Sequence, residues 1–274
     1  MDNNFRVGSS GAQLNSNLLS VHQLTLGIAG RKSRITLLED ISFSLKEGEC
    51  LGVIGESGAG KSMLAHVLLG VQPADAQVAS GFICFANKLL NPENPKDWQS
   101  IRGNEISMVF QNAAEALNPL ITVGKQVQRV IATHGSMSDS MAHKRVLYLF
   151  EEMNLNNPEM VFNCFPHQLS GGMNQRVMLA MALCGSPRLV IADEPTSALD
   201  NESRDRVLSL LAAFKKKLGF ALIFITHNIE LAAGIADSLV VMKDGRIVEQ
   251  GVSDVLLTAP THHYTMQILD GQLP

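Results

Sequence analysis

Aromatic residues are scarce in the 274-residue chain: it has one tryptophan and two tyrosines, and no Phe, Tyr or Trp lies between Phe5 and Phe43. Ring stacking from that stretch is therefore excluded. The four cysteines, Cys50, Cys84, Cys164 and Cys184, are scattered without a C-x-x-C pair. That argues against a zinc site, an iron–sulfur cluster or a disulfide framework, and reads them as small buried apolar residues in a reducing compartment. Basic residues show no surplus, since 22 Lys and Arg stand against 26 Asp and Glu. Charge thus suggests neither a nucleic-acid groove nor an anionic membrane surface. No window approaches the roughly eighteen uninterrupted apolar residues of a membrane span, so any membrane role must come through a partner. Residues 1–17, rich in Asn, Ser and Gly, lack the apolar run of a signal peptide and are read as a disordered leader. No internal repeat is present.

With 46% hydrophobic and 18% charged residues, the chain can bury one large core, or a core and a subdomain. Its organising stretch is Gly55-Glu56-Ser57-Gly58-Ala59-Gly60-Lys61-Ser62, which fits G-x-x-x-x-G-K-[ST]. It follows the apolar run Cys50 to Ile54 and precedes the helical run Met63 to Leu69, the context this pattern requires. Glycines let successive N–H groups converge on a phosphate, and the following helix aims the positive end of its dipole at the same point. Lys61 then reaches the β- and γ-phosphates, and the Ser62 hydroxyl can hold Mg²⁺.

Alternating apolar residues predict strands over Leu19–Leu26, Ile41–Leu45, Gly81–Ala86 and Glu105–Phe110, so the chain up to Gln111 is mainly β with one long helix after Ser62. From about 112 to 182 the spacing turns helical, over Thr122–Ala132 and Met141–Met153, with Ser138 or Ser140 as the cap of the second helix. Thereafter strands and helices alternate: strand Leu189–Ala192, helix Glu202–Lys217, strand Phe220–Ile225, helix Ile229–Ala236, strand Ser238–Met242. Buried strands joined by helices indicate a doubly wound α/β sheet. Lys215, Lys216 and Lys217 before Gly219 read as a helix C-terminus rather than a partner-binding patch.

Two further motifs carry chemistry. The apolar strand ending in Asp193-Glu194 would lie beside the phosphate loop at the C-terminal edge of a parallel sheet. Asp193 can hold Mg²⁺ through water, while Glu194 either removes a proton from the attacking water or orients it. Leu169-Ser170-Gly171-Gly172 opens a helix; Ser170 can simply cap it, or the free N–H groups and hydroxyl can meet a phosphate. His227 alone would read as a structural histidine.

Taken together, these residues resemble the ATP-binding subunits of ABC transporters. Gly55 to Ser62 matches the Walker A loop, Gln111 the Q-loop glutamine, Leu169 to Gln175 the signature, and Leu189 to Glu194 Walker B with its catalytic glutamate. Ser197-Ala198-Leu199-Asp200 matches the D-loop, and Ile225-Thr226-His227 the switch histidine. The six motifs stand in the family's order between Leu18 and Gly251. The resemblance implies a P-loop NTPase fold with a RecA-like core, an antiparallel β subdomain and an inserted α-helical subdomain. It divides the chain into the leader, an ATPase domain over 18–251 and a tail over 252–274. It further implies ATP and Mg²⁺ as ligands, with Ser62, Gln111 and Asp193 at the metal and Glu194, His227 and Gln111 in catalysis. A head-to-tail pair is implied, in which ATP at one chain's loop is covered by Ser170 and Gly172 of a second ATPase chain, a copy or a paralogue; Gly171 and Asp200 are implied as further nucleotide-binding residues.

Leu117-Asn118-Pro119, Phe165 to Met173, Ala192 to Thr196, Gly245 to Gly251 and Pro260 to Thr265 narrow the resemblance to the dipeptide, oligopeptide and nickel import branch. Longer members carry a cysteine-bearing extension that is absent here, which tilts the expected cargo towards a metal or metal chelate. The implied partners are two transmembrane permease subunits and, indirectly, a solute-binding protein, at the cytoplasmic face of the plasma membrane; no nucleic acid is implied. The docking surface is expected around Asn112–Val123. A non-transport relative, the accessory ATPase of the carbon–phosphorus lyase complex, is the alternative. The family's adenine-stacking aromatic is missing, with Ile35 in its place, and Asn174 and Asn228 replace a common arginine and aspartate.

Overall fold

The computed structural model describes residues 17–29, 34–134 and 137–271. The expected leader, apart from Asn17, lies outside the described residues, as do Phe5 and the last three residues of the tail. Two sheets organise the chain. The first is antiparallel, with strands β1 (Asn17–Ala29), β2 (Arg34–Lys46), β4 (Ala76–Phe85) and β5 (Lys88–Leu90) in the order β2-β1-β4-β5. The alternation of β1 is imperfect because its register slips between Val21 and Leu24 and again before Gly27, and each bulge shifts which side chains face inward.

The second sheet has strands β3 (Cys50–Ile54), β6 (Ile106–Val109), β7 (Leu189–Asp193), β8 (Ala221–Thr226), β9 (Ser238–Lys243) and β10 (Arg246–Val252), ordered β10-β9-β3-β8-β7-β6. All pairings are parallel except β9–β10. Residues of β3, β6, β7 and β8 are buried throughout, the pattern of strands covered on both faces. Along β8 the two faces divide cleanly: Leu222 and Phe224 join the core with the helices, whereas Ala221, Ile223 and Ile225 join the core under the antiparallel sheet.

Helix α1 (Lys61–Val67) follows β3. It is shorter than the long helix expected, because the chain tightens at once into three-residue steps, Leu69 N to His66 O at 3.2 Å and Gly70 N to Val67 O at 3.1 Å, with Pro73 just beyond. Helix α2 (Pro95–Gln99) buries Trp98. The segment between β6 and β7 carries α3 (Ala113–Ala116), α4 (Val123–His134), α5 (Asp139–Glu152), α6 (Pro158–Phe162) and α7 (Gly171–Leu183). Ser138, and not Ser140, caps α5 by accepting the Met141 N–H. Asn174, at the departure from the family pattern, is buried and donates to the Pro166 carbonyl at 2.9 Å.

Helix α8 (Asn201–Leu218) ends on Gly219 as its three lysines suggest, but two of them bond outside the helix: Lys215 Nζ donates to the Gly48 carbonyl and Lys217 pairs with Glu152. After α9 (Ile229–Ile235), β9 and β10 form a hairpin unseen in the sequence pattern. Its two-residue Asp244-Gly245 loop has φ of 49° and 75°, the left-handed pair of a type I′ turn. Helices α10 (Ser253–Thr258) and α11 (His263–Leu269) complete the described chain. They are no appendage, since Leu256 and Tyr264 belong to the main core. The turn before α11 is pinned to β10, where the Glu249 carboxylate accepts Thr261 N at 2.7 Å, the Thr261 hydroxyl at 2.8 Å and His262 N at 3.1 Å. Two cysteines, Cys50 and Cys84, are buried as expected, and burial pushes the Cys50 thiol up to about 12. Cys164 and Cys184 are only half-buried.

Candidate functional site

The loop Gly55 to Ser62 leaves the C-terminal end of the central strand β3. Gly55 has no alternative: a Cβ there would sit 2.3 Å from the Met242 carbonyl oxygen on β9. Beyond it Ser57 and Gly58 are exposed at the crown, and Ala59 is buried. Gly60 takes the cap position of α1 with φ 98°. Lys61 is only 5% exposed, and its Nζ donates to the carbonyls of Gly55 and Glu56, each at 2.8 Å. Burial pulls the Lys61 ammonium below its ordinary range, opposed by the carboxylates of Glu194, Asp193 and Glu56. The loop's N–H groups are not all open, because that of Glu56 donates to Tyr264 Oη at 3.1 Å.

Strand β7 lies one strand removed from β3, with β8 between, and delivers Asp193 and Glu194 to the same sheet edge. Asp193 is buried, which raises its carboxyl, while a hydrogen bond from the Ser62 hydroxyl opposes the rise. Its Oδ1 is buried with no hydrogen-bond partner. A buried carboxylate oxygen left open beside a serine hydroxyl suits a hard divalent cation that prefers oxygen ligands.

Glu194 sits at φ 43°, a left-handed conformation that costs a non-glycine residue energy and is held here by its N–H bond to Ile225 O at 3.0 Å. The twist turns its carboxylate towards two neighbours. Oε2 lies 3.2 Å from His227 Nδ1 and 3.4 Å from Gln111 Nε2. His227 follows β8 directly and is placed by Asn228, whose side chain caps α9 by accepting Leu231 N and whose N–H bonds Thr226 Oγ1. Asparagine therefore serves as the cap where the family usually has aspartate. Gln111 follows β6. The preceding residue, Phe110, is tied to α7: its carbonyl accepts Gln175 Nε2 at 3.2 Å and its N–H meets Met178 Sδ at 3.1 Å.

The remaining candidates fall into two places. Ile35 is 58% exposed on β2, the strand that passes Gly60 at Leu37 and Leu38. Ser170 caps α7 by accepting Met173 N at 3.2 Å, and Gly171 and Gly172 open that helix next to Leu199 and Ser203. Asp200 caps α8, accepting Ser203 N at 2.9 Å and the Ser203 hydroxyl at 2.8 Å. These bonds hold the Asp200 carboxyl below its usual range. The structure thus gathers Lys61, Ser62 and Asp193, and beside them Glu194, Gln111 and His227. Gly172 and Asp200 meet at Ser203, Gly171 lies next to Leu199, and Ser170 caps α7. Sequence reasoning missed Tyr264 and the Asp244-Gly245 turn, whose Gly245 N donates to Ala59 O at 3.0 Å. The Asp-Gly pair between apolar runs was the available hairpin signal.

A phosphate loop after the central strand of a parallel sheet, with a carboxylate pair at the end of a nearby strand, defines a P-loop nucleotide-binding protein. Comparison with known proteins narrows the class. Residues 38–197 match the ABC transporter family. The chain is 40% identical over 253 residues to the oligopeptide transport ATP-binding protein OppD of Bacillus subtilis, covering 92% of this chain and 71% of that one. It is 36% identical over 254 residues to the dipeptide transport ATP-binding protein DppD of Lactococcus lactis, covering 92% and 73%. An ATP-binding cassette solved as a dimer in a post-hydrolysis state with ADP and phosphate superposes with a TM-score of 0.76 at 27% identity, over 86% of this chain and 98% of that one. The chain belongs to the ABC transporter family, as an ATP-binding and ATP-hydrolysing subunit. Among the described residues no helix is long and apolar enough to cross a membrane.

Proposed function

We propose that this chain powers the import of peptides, hydrolysing ATP at the loop Gly55–Ser62 while paired with a second ATPase chain and two membrane permeases at the cytoplasmic face of the plasma membrane. Peptide as cargo is supported by the names of the relatives above; the metal-chelate expectation gains nothing from them, and the carbon–phosphorus lyase alternative is not favoured.

The observation that carries the catalytic assignment is Glu194 Oε2 within reach of both Gln111 Nε2 and His227 Nδ1, beside the buried Lys61. In this assignment the crown of the loop and Lys61 bind the phosphates of ATP, and Ile35 offers the base an apolar contact in place of a ring. Asp193, whose Oδ1 has no other partner, would hold Mg²⁺ together with Ser62 and Gln111, and the ion would supply neutralisation of phosphate charge. Glu194 orients the attacking water and takes its proton; His227 holds the water and the γ-phosphate in line, and Gln111 steadies the carboxylate. Ser170 and Gly172, at the opening of α7, cover the nucleotide of the partner chain, with Gly171 and Asp200 beside them.

Glu194→Gln keeps the shape and removes the base. ATP turnover should fall by roughly 10²-fold or more while ATP binding is retained. Near-normal phosphate release by this variant would refute the role given to Glu194. Purification from membranes should bring down two permeases, and recovery in a soluble metabolic complex would sink the transport reading.

A further inference from the structure

The phosphate loop is supported from beneath by residues that lie far along the chain. At its C-terminal half, Gly245 N donates to Ala59 O at 3.0 Å, and a Cβ on Gly60 would come 3.3 Å from Gly245 Cα. At its N-terminal half, Glu56 N donates to Tyr264 Oη at 3.1 Å, across 208 residues of sequence. Tyr264 is 2% exposed. Its ring carries the Lys243 ammonium at 4.6 Å from the centroid. Its backbone N–H bonds His262 Nδ1 at 3.2 Å, and the turn that presents it is fixed by Glu249. The phenol therefore has no freedom to follow a wandering loop; the loop must come to it.

We propose that Tyr264 is a positioning residue for ATP binding: its hydroxyl, held by the docked C-terminal helix, fixes the Glu56 N–H and so keeps the Gly55–Ser62 loop in the shape that receives phosphate. The proposal rests on the assignment of that loop as the ATP site. Glu56 is the point where this control is needed. Its carbonyl already accepts Lys61 Nζ, as does that of Gly55, so rotation of the backbone at Gly55 and Glu56 would swing both the loop's entry and the lysine's anchor. An amide N–H that loses its partner in a part-buried hydrogen bond must turn to water, and the loop then spends time in shapes that let it do so. Apparent affinity falls by the fraction of time the competent shape is occupied.

Tyr264→Phe removes the hydroxyl and keeps the ring, its packing and its contact with Lys243. In the full-length chain, KM for ATP and the dissociation constant of a fluorescent ATP analogue should both rise about fivefold, the loss expected for one hydrogen bond, with kcat falling less than twofold. A purely structural tyrosine would instead lower the melting temperature and leave the KM-to-kcat split unmoved. Unchanged KM and affinity, whatever the melting temperature does, would overturn the proposal, as would a loss confined to kcat. Glu56→Pro deletes the donor; in that background Tyr264→Phe should have no further effect on affinity, and a second fivefold loss would also overturn it. Lys61→Ala separates the underlying assignment: wild-type ATP binding by that variant would remove the loop from the site altogether, whereas abolished binding leaves the Tyr264 result to decide.

Discussion

Replacing Glu249 by glutamine should weaken the fold by a pH-dependent amount that the hydrogen bonds of its carboxylate set. Burial alone would raise this carboxyl. The neighbouring Thr265 hydroxyl and the bonds from Thr261 N–H, Thr261 hydroxyl and His262 N–H outweigh burial and hold it at about 2 instead of the usual 4.5. A group whose folded value lies below its unfolded one stabilises the fold fully above the unfolded value, and the contribution disappears as pH falls through the folded value. At about 1.4 kcal/mol per pH unit the carboxylate is worth at most about 3.5 kcal/mol near neutral pH. Glu249 is partly exposed, and solvent screening reduces that to roughly 1–2 kcal/mol. For a chain of this size the loss lowers the melting temperature by about 3–6 °C. Thermal unfolding followed by circular dichroism should show this gap between wild type and Glu249→Gln, constant from about pH 7 to pH 5 and narrowing below about pH 4.5. A gap absent near neutrality, or undiminished at about pH 3, would refute the reasoning.

Gly124 lies in α4 against Phe162, and a Cβ added there would sit 2.1 Å from the ring. Gly124→Ala should therefore cost about 1–3 kcal/mol by overpacking in urea unfolding, and adding Phe162→Leu should recover part of that loss, whereas independent additive effects would show that the two do not meet. If Ser170 and Gly172 serve a second chain's nucleotide, ATPase activity per molecule of the purified chain should rise with protein concentration, and a rate per molecule that is flat over a hundredfold dilution would argue for a self-sufficient site.

Much of the site was legible because its chemistry is local in sequence. Gly55 to Ser62 is one uninterrupted turn between a strand and a helix, and Asp193-Glu194 ends an apolar run, so periodicity and composition place both. The central strands were equally plain, since β3, β7 and β8 are buried on both faces and read as continuous apolar runs. What escaped was set by distant partners. Strand β4 begins at Ala76, not Gly81, because residues Gln77 to Phe82, all exposed but the half-buried Val78, are held in the sheet by pairing with β1 rather than by any pattern of their own. Strand β10 is the exception: its residues are mostly half-buried, and its one signal, the Asp244-Gly245 turn that lays it against β9, was local. The convergence of Gln111, Glu194 and His227 follows from the adjacency of β6, β7 and β8, which no window of sequence contains; family resemblance named these residues, and strand order brings them together. Tyr264 lay within a stretch that served only as a marker of the branch, and nothing near it in sequence points to Glu56.

The order of the second sheet also has a consequence in time. The strand that ends in the phosphate loop is finished by Ile54, yet its two hydrogen-bonded neighbours, β8 and β9, begin at Ala221 and Ser238. At about 5–20 residues per second, a ribosome needs roughly 10–40 s to travel from one to the other. For most of that interval the nascent chain carries every residue of the loop and neither of the strands that flank β3. The capacity to bind ATP should therefore appear late and abruptly during synthesis, after β9 has emerged, so that a chain abandoned before its last strands would present the motif without a nucleotide site.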